Sequence, residues 1–306
     1  MLSPPARECY HADSSFFAEY TNMPTVASSA SVTPSPAALK AAVVTSPAVD
    51  SLFVADKAAR QSATEGIVSL VQKDGPSAIK STGFCDSVVK ALGDKKSPAA
   101  REGAAQAVIA VSKAAAQALE PSFIPSGLYV ALLEAFADKM PAVRTAAVEA
   151  VRSFVENANP WNTALLLPAL LHEIKTAGKW QVKTGSLIIL DQLVVSAPQQ
   201  TAKLMPDIVP VLSEAIWDTK ADVKKQARES LTKATALVSN KDIERFIPAL
   251  IQSLIHPVEE VPKTIQLLSA TTFVSEVDSA TLSLMVPLLS RGLSEKATAI
   301  KRKVAV

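Results

Sequence analysis

The nearest approach to a nucleotide-binding signature in this chain is Gly178-Lys179-Trp180. It shares only a Gly-Lys pair with the pattern G-x-x-x-x-G-K-[ST] and sits between two apolar segments, so it has no glycine-rich loop to cradle phosphates. No H-E-x-x-H and no close His/Cys cluster occurs. His172 and His256 stand alone near expected helix ends, where they suit the negative end of a helix dipole. Serine and aspartate are frequent, but no G-x-S-x-G turn accompanies them. No catalytic, cofactor-binding or metal-binding residue is therefore assigned. What remains is surface charge.

Three groups of cations stand out. Lys175, Lys179 and Lys183 flank Trp180; Lys220, Lys224, Lys225 and Arg228 gather near one helix start; Lys296, Lys301, Arg302 and Lys303 gather near another. In a repeat array, corresponding sites share one edge, and a basic edge suits phosphate backbones, whose release of counterions makes binding salt-dependent. The candidate contacts are Lys179, Lys183, Lys220, Lys224, Lys225, Arg228, Lys296, Lys301, Arg302 and Lys303. The alternative is that they are solvated faces or ion pairs within the stack, with Asp222, Glu229 and Glu295. Trp161, Trp180 and Trp217 fall near repeat boundaries, where packing between repeats is the plainer expectation and exposed stacking platforms the sharper one.

The elements that would carry these residues are helices. The chain has 306 residues, 48% hydrophobic and 20% charged, which is ample for a large core. Nine glycines make up about 3%, against a usual share of roughly 7%. Low glycine with few aromatics favours helix over a sandwich or barrel. A net charge of +2 imposes no global field. Cys9 and Cys85, so far apart, make neither a disulfide framework nor a metal knuckle, and fit a reducing cytosol. No run of about 18 apolar residues offers a membrane span, and the N-terminus lacks the layout of a signal peptide.

Residues 1–49 are rich in Ser, Thr, Pro and Ala and are expected to be a disordered leader. Met1 and Met23 are equally suited as the start. From Asp50 or Ser51, a helix carrying Leu52, Ile67 and Val71 is expected to run to Gly75-Pro76. A second covers Phe84 to Leu92, and Ser97-Pro98 restarts the chain as N-cap and first helical residue.

Two landmarks then repeat independently. An apolar residue followed by proline recurs at Pro125, Pro168, Pro210, Pro248 and Pro287, expected inside the first helix of each unit. A basic residue near the start of the second helix recurs at Arg101, Arg144, Lys183, Lys224, Lys263 and Lys301. Both series step by 38 to 43 residues. A period of about 40 residues, built as two antiparallel helices, defines an all-α HEAT-repeat α-solenoid. It is expected over 50–306, with 50–83 as an N-terminal cap and the last repeat incomplete. The turns at Asp94, Asp138 and Asp218 are acidic, so each Asp is placed to cap a helix and to meet a basic residue of a neighbouring repeat.

From Trp217 the text reads WDTKADVKKQARESLTKAT, NKDIERFIPALIQSL and MVPLLSRGLSEKATAIKRK, preceded by KWQVK at 179–183 and LMPDIVPVLSEAIWDTK at 204–220. This resembles the N-terminal HEAT region of translation elongation factor 3, a ribosome-bound ABC-type ATPase, over about 160–303. The resemblance implies a cytoplasmic, ribosome-associated module that contacts ribosomal RNA and proteins, with other translation factors as further partners. In the family, ATP hydrolysis drives release of exit-site tRNA. The cassettes that would bind ATP and magnesium are not in these 306 residues, so a non-enzymatic, monomeric module without membrane, small-molecule substrate or cofactor is expected. The turn at His256–Glu260 looks longer than the family's. The alternatives are a HEAT scaffold related to the ribosome-associated activator of the amino-acid-starvation kinase, or a general protein-interaction solenoid.

Overall fold

The computed structural model describes residues 47–305. Of the expected leader, all but the last three positions lie outside the described residues, as do Cys9 and Met23. A short helix α1 (Pro47–Asp50) and a 3-10 turn (Ser51–Phe53) lead into α2 (Lys57–Asp74) and α3 (Pro76–Ser81). Antiparallel pairs follow: α4 (Phe84–Leu92) with α5 (Pro98–Phe123), and α6 (Leu128–Ala135) with α7 (Pro141–Asn157). Next come α8 (Thr163–Thr176) with α9 (Trp180–Ser196), a linker helix α10 (Pro198–Lys203), then α11 (Met205–Ala215) with α12 (Ala221–Thr235). A second linker α13 (Lys241–Glu244) precedes α14 (Ile247–Ile255) with α15 (Pro257–Ser269), and α16 (Ser279–Ser294) with α17 (Thr298–Ala305) ends the described chain. No strand occurs among the described residues. Among the described residues, no helix is long and apolar enough to cross a membrane.

The second helices α2, α5, α7, α9 and α12 pack side by side in that order. Each carries an apolar stripe at helical spacing, such as Val143, Ala147, Ala150, Val151 and Phe154 on α7, all buried. One pair has nothing to cover that stripe; a neighbour on each side closes it into a continuous core. Fully burying a Leu or Phe contributes about 1.5–3 kcal/mol, so the repeated stripes carry most of the stability. Gly185 on α9 makes one crossing possible, because a Cβ there would stand 2.5 Å from the Phe136 ring. Gly185→Ala is expected to cost about 1–3 kcal/mol by forcing that ring aside, read as a lower urea midpoint.

Local chemistry places the helix ends as expected in several cases. Ser97 accepts from the Ala100 amide ahead of Pro98. Gly75 ends α2 with a positive φ of 60°, before Pro76. The first long helix departs from expectation: α2 starts at Lys57, capped by Asp56, rather than at Asp50 or Ser51. The prolines also differ. Pro168, Pro210 and Pro287 lie inside α8, α11 and α16, but Pro248 is the second residue of α14 and Pro125 falls in the break between α5 and α6. A proline near a helix start loses no hydrogen bond, so the same landmark serves two positions.

The regular stack changes after α12. There α16 reaches back to pack on α11 and touch α10, while also meeting α14 and α15. Lys263, counted as a basic landmark, is the seventh residue of α15 and pairs with Glu260 at 2.8 Å on an exposed face. Glu260 occupies the fourth position, where the other second helices carry a cation. Conversely Arg60, fourth in α2, is a cation of that series within the segment read only as a cap; it donates to the carbonyls of Val54 and Ala99.

Candidate nucleic-acid interface

Three of the turns between paired helices, at Asp94, Asp138 and Asp218, are built on an aspartate. Asp94, Asp138 and Asp218 accept through Oδ1 from the amide two residues on, at Lys96, Met140 and Lys220. These are Asx turns immediately before the helix, a variation on the expected cap. In Asp138 and Asp218 the second oxygen reaches along the stack. Arg101 holds Asp138 with two hydrogen bonds, Nε to Oδ2 at 2.7 Å and Nη2 to Oδ1 at 3.1 Å, and also donates to the Asp94 carbonyl. Lys183 holds Asp218 Oδ2 at 2.7 Å. Between those pairs Arg144 turns to its own loop carbonyls, Asp138 and Lys139, because the next turn, Ala177-Gly178, has no carboxylate. Lys179 reaches the Ala137 carbonyl at 3.4 Å. Four successive turns are thereby joined into one edge.

Burial alone would raise the Asp138 carboxyl, but Arg101, the Met140 amide and Arg144 outweigh it and hold the group below the usual range. Asp218 behaves alike: burial raises, while Lys183 and the Lys220 amide lower it further. A depressed carboxylate contributes stability above its unfolded value, about 3.9, and loses it as pH falls through the folded value. The difference in urea midpoint between wild type and Asp138→Asn is therefore expected to be full at neutral pH and to shrink below pH of about 4. Arg101→Ala, which removes the partner of an Asp138 side chain only 12% exposed in the intact pair, is expected to cost about 2–3 kcal/mol, measured the same way.

With Asp138 and Asp218 paired within the stack, the lysines along this edge are left without carboxylate partners. Lys95, Lys96, Lys139, Lys179 and Lys220 are exposed, and none has a carboxylate partner among the described residues. Lys95, Lys96 and Lys139 escaped sequence reasoning, because their turns were read for the aspartates alone. Position relative to the Asx turn is the signal that would have found them. Of the expected contacts, Lys179 and Lys220 belong to this edge, whereas Lys183 is turned into the stack with its side chain 19% exposed. Lys224 is half-buried, and Lys225 and Arg228 are exposed on α12. Lys296, Lys301, Arg302 and Lys303 are exposed beyond the change in stacking and are not joined to the others by the same ladder. Pairs with Asp222, Glu229 or Glu295 do not form among the described residues; the ladder aspartates take that role.

The tryptophans overturn the packing expectation. Trp161, Trp180 and Trp217 are 67%, 38% and 54% exposed. Trp180 and Trp217 flank Lys179 and Asp218 on the lysine edge, with Met140 also exposed in the preceding turn. Exposed aromatic faces between unpaired cations can stack on bases while the cations meet phosphates. The one described cysteine offers no competing chemistry: burial pushes the Cys85 thiol up to about 11, out of reach of the reactive thiolate.

Stacked antiparallel pairs with an Asp–cation ladder define a HEAT-type helical repeat. Kap121p shares that fold, with a TM-score of 0.51 at 16% identity over 81% of this chain and 27% of that one. Residues 60–231 match the EF3 N-terminal HEAT repeat family and 259–306 the Elongation factor 3/GNC1 HEAT repeat family. The chain belongs to the elongation factor 3 N-terminal HEAT-repeat family. It is 54% identical over 258 residues to Elongation factor 3 of Mycosarcoma maydis, covering 84% of this chain and 24% of that protein. It is 52% identical over 164 residues to Elongation factor 3B of Saccharomyces cerevisiae, covering 54% of this chain and 16% of that protein. The chain thus spans about a quarter or less of these relatives, in their HEAT region. The gap between the two matched stretches falls where the stacking changes.

Proposed function

We propose that this chain is a ribosome-binding HEAT module of an elongation factor 3-like protein, acting in translation elongation in the cytoplasm. The row of unpaired lysines along the joined turns carries the reading, since it presents positive charge to an RNA backbone with the neighbouring acids withdrawn. Membership in the family supports the translational role. Nothing in this stretch is assigned to catalysis; it positions, and ATP-driven steps are left to other parts of such a factor. Cosedimentation with purified ribosomes tests it. The chain is expected to pellet at about 50 mM salt and to be released several-fold by about 300 mM, the signature of counterion release. Failure to pellet at low salt would overturn the proposal. A regulatory scaffold is the second reading, favoured by the match of 259–306 to a family whose description also names GNC1.

A further inference from the structure

The serine-proline step at the start of α5 is a feature that neither the stack nor the lysine edge accounts for. Ser97 is the N-cap of α5, the position that Met140, Lys179 and Lys220 hold in the three later turns. Two of those, Lys179 and Lys220, belong to the lysine edge, so a group carried by Ser97 is presented in register with them. The Ser97 hydroxyl oxygen accepts from the Ala100 amide at 3.1 Å, and its proton has no acceptor among the described residues. Ser97 is partly exposed, and Lys95, Lys96 and Pro98 around it are exposed.

Three observations match what a proline-directed kinase reads. Ser97-Pro98 is the one Ser/Thr-Pro step with both residues among the described residues. The Ser97 backbone is extended, with φ −110° and ψ 99°, as a residue before proline prefers and as a substrate lying across a kinase cleft must be. The serine is also lightly held. Pro98 has no amide to unpair, and the first amides of a helix have no intrahelical partner. Ser97 is tied by two hydrogen bonds, from the Ala100 amide to its hydroxyl and from the Arg101 amide to its carbonyl at 3.3 Å. A phosphate here suits the helix and opposes the edge. A helix N-terminus favours negative charge, so a phosphorylated N-cap strengthens the cap. Asp94 to Ser97 carry a net charge of +1, and a phosphate of about −1.5 to −2 reverses that sign. Lys95 and Lys96 then meet a phosphate of their own chain instead of one on RNA.

We propose that Ser97 is the acceptor of a proline-directed serine/threonine kinase, and that its phosphate weakens the hold of the lysine edge on RNA. The Ser97 hydroxyl oxygen attacks the γ-phosphorus of an ATP held by the kinase. The new O–P bond replaces the bond to the departing ADP, and the hydroxyl proton passes to the kinase's base. The modification site stands on its own, whereas its effect on binding rests on the ribosome reading.

The test uses the whole chain carrying Ser3→Ala, Thr33→Ala, Ser35→Ala and Ser46→Ala, which leaves Ser97-Pro98 as its only Ser/Thr-Pro step. Incubated with a mitogen-activated protein kinase and magnesium ATP, it is expected to take up a single phosphate, mapped to Ser97 by mass spectrometry of its proteolytic peptides. Ser97→Asn and Ser97→Asp both keep a good N-cap. The first is expected to take up no phosphate, and the second to imitate part of its charge. At about 0.1 M salt, ribosome affinity is expected to fall at least about 10-fold on phosphorylation and about 3-fold in Ser97→Asp, and to hold in Ser97→Asn. No phosphate at Ser97, or equal pelleting of the phosphorylated and unmodified chains, would overturn the proposal. Failure of the unmodified chain to pellet at all would sink the ribosome reading alone. Uptake at Ser97 and elution from heparin then decide the present proposal: elution is expected at lower salt after phosphorylation and unshifted in Ser97→Asn, and an unshifted phosphorylated chain counts against it.

Discussion

Phe154→Ala is expected to lower the unfolding free energy by about 3–5 kcal/mol, the cost of truncating a fully buried aromatic to alanine. Phe154 is 1% exposed and stacks on Phe123 at 3.7 Å, with the rings 11° from parallel. Phe123 in turn meets Tyr129, ring centres 5.6 Å apart, and the Tyr129 hydroxyl donates to the Leu166 carbonyl at 3.0 Å. One cluster thus ties α5, α6, α7 and the start of α8. In a repeat stack each unit is held mainly by its neighbours, so the loss is expected to be felt locally. Urea unfolding should shift and broaden, and hydrogen exchange should quicken first in α5 through α8. A loss under about 1 kcal/mol, well below the range for such truncations, would mean that the cluster is not the hub described. Phe154→Leu, which refills most of the volume, is expected to recover more than half of the loss.

Reversing four charges on the turn edge is expected to have the largest effect on binding. Lys95, Lys139, Lys179 and Lys220 are all exposed, and none is held by a carboxylate among the described residues, so Lys→Glu at all four should fold normally. If each neutralises one phosphate, the slope of log affinity against log salt should flatten by about 3. Ribosome affinity at about 0.1 M salt should then fall by at least about 100-fold. The same four changes placed at Lys225, Arg228, Lys301 and Lys303 discriminate between surfaces, because those cations are exposed but lie off the joined edge. If the second set abolishes pelleting and the first does not, the interface lies on the helix faces. Trp180→Ala and Trp217→Ala add a sequence-tolerant term of about 1–3 kcal/mol each where a base stacks, and nothing where the contact is phosphate alone.

Much of the fold could be read from the residues, and the reasons are local. Ser97-Pro98 and Gly75-Pro76 punctuate helices because capping and φ preferences act over a few residues. The period of about 40 was legible because every repeat must bury the same stripe against the same kind of neighbour. The pairing of turn aspartates with cations of the preceding repeat was legible for the same reason, and Arg101–Asp138 and Lys183–Asp218 form it. Where the residues misled, spacing was matched without register. Lys263 continues the numerical series yet stands three residues beyond the position that faces the next turn, which Glu260 occupies.

The sequence by itself determined that this is a helical repeat of the elongation factor 3 HEAT kind, because periodic burial and family wording are both written along the chain. Only the tertiary structure decided which cations are free. Lys179 and Lys183 are four residues apart on neighbouring turns of one helix start, and both read as candidate contacts. Lys179 stays exposed and meets only the Ala137 carbonyl of the preceding turn, while Lys183 is spent on Asp218 of the next repeat. That division depends on whether the following turn offers a carboxylate, a fact held some 35 residues away. The same holds for the tryptophans, whose exposure follows from what the adjacent repeat leaves uncovered. Charge and aromaticity belong to the residue; availability belongs to the stack.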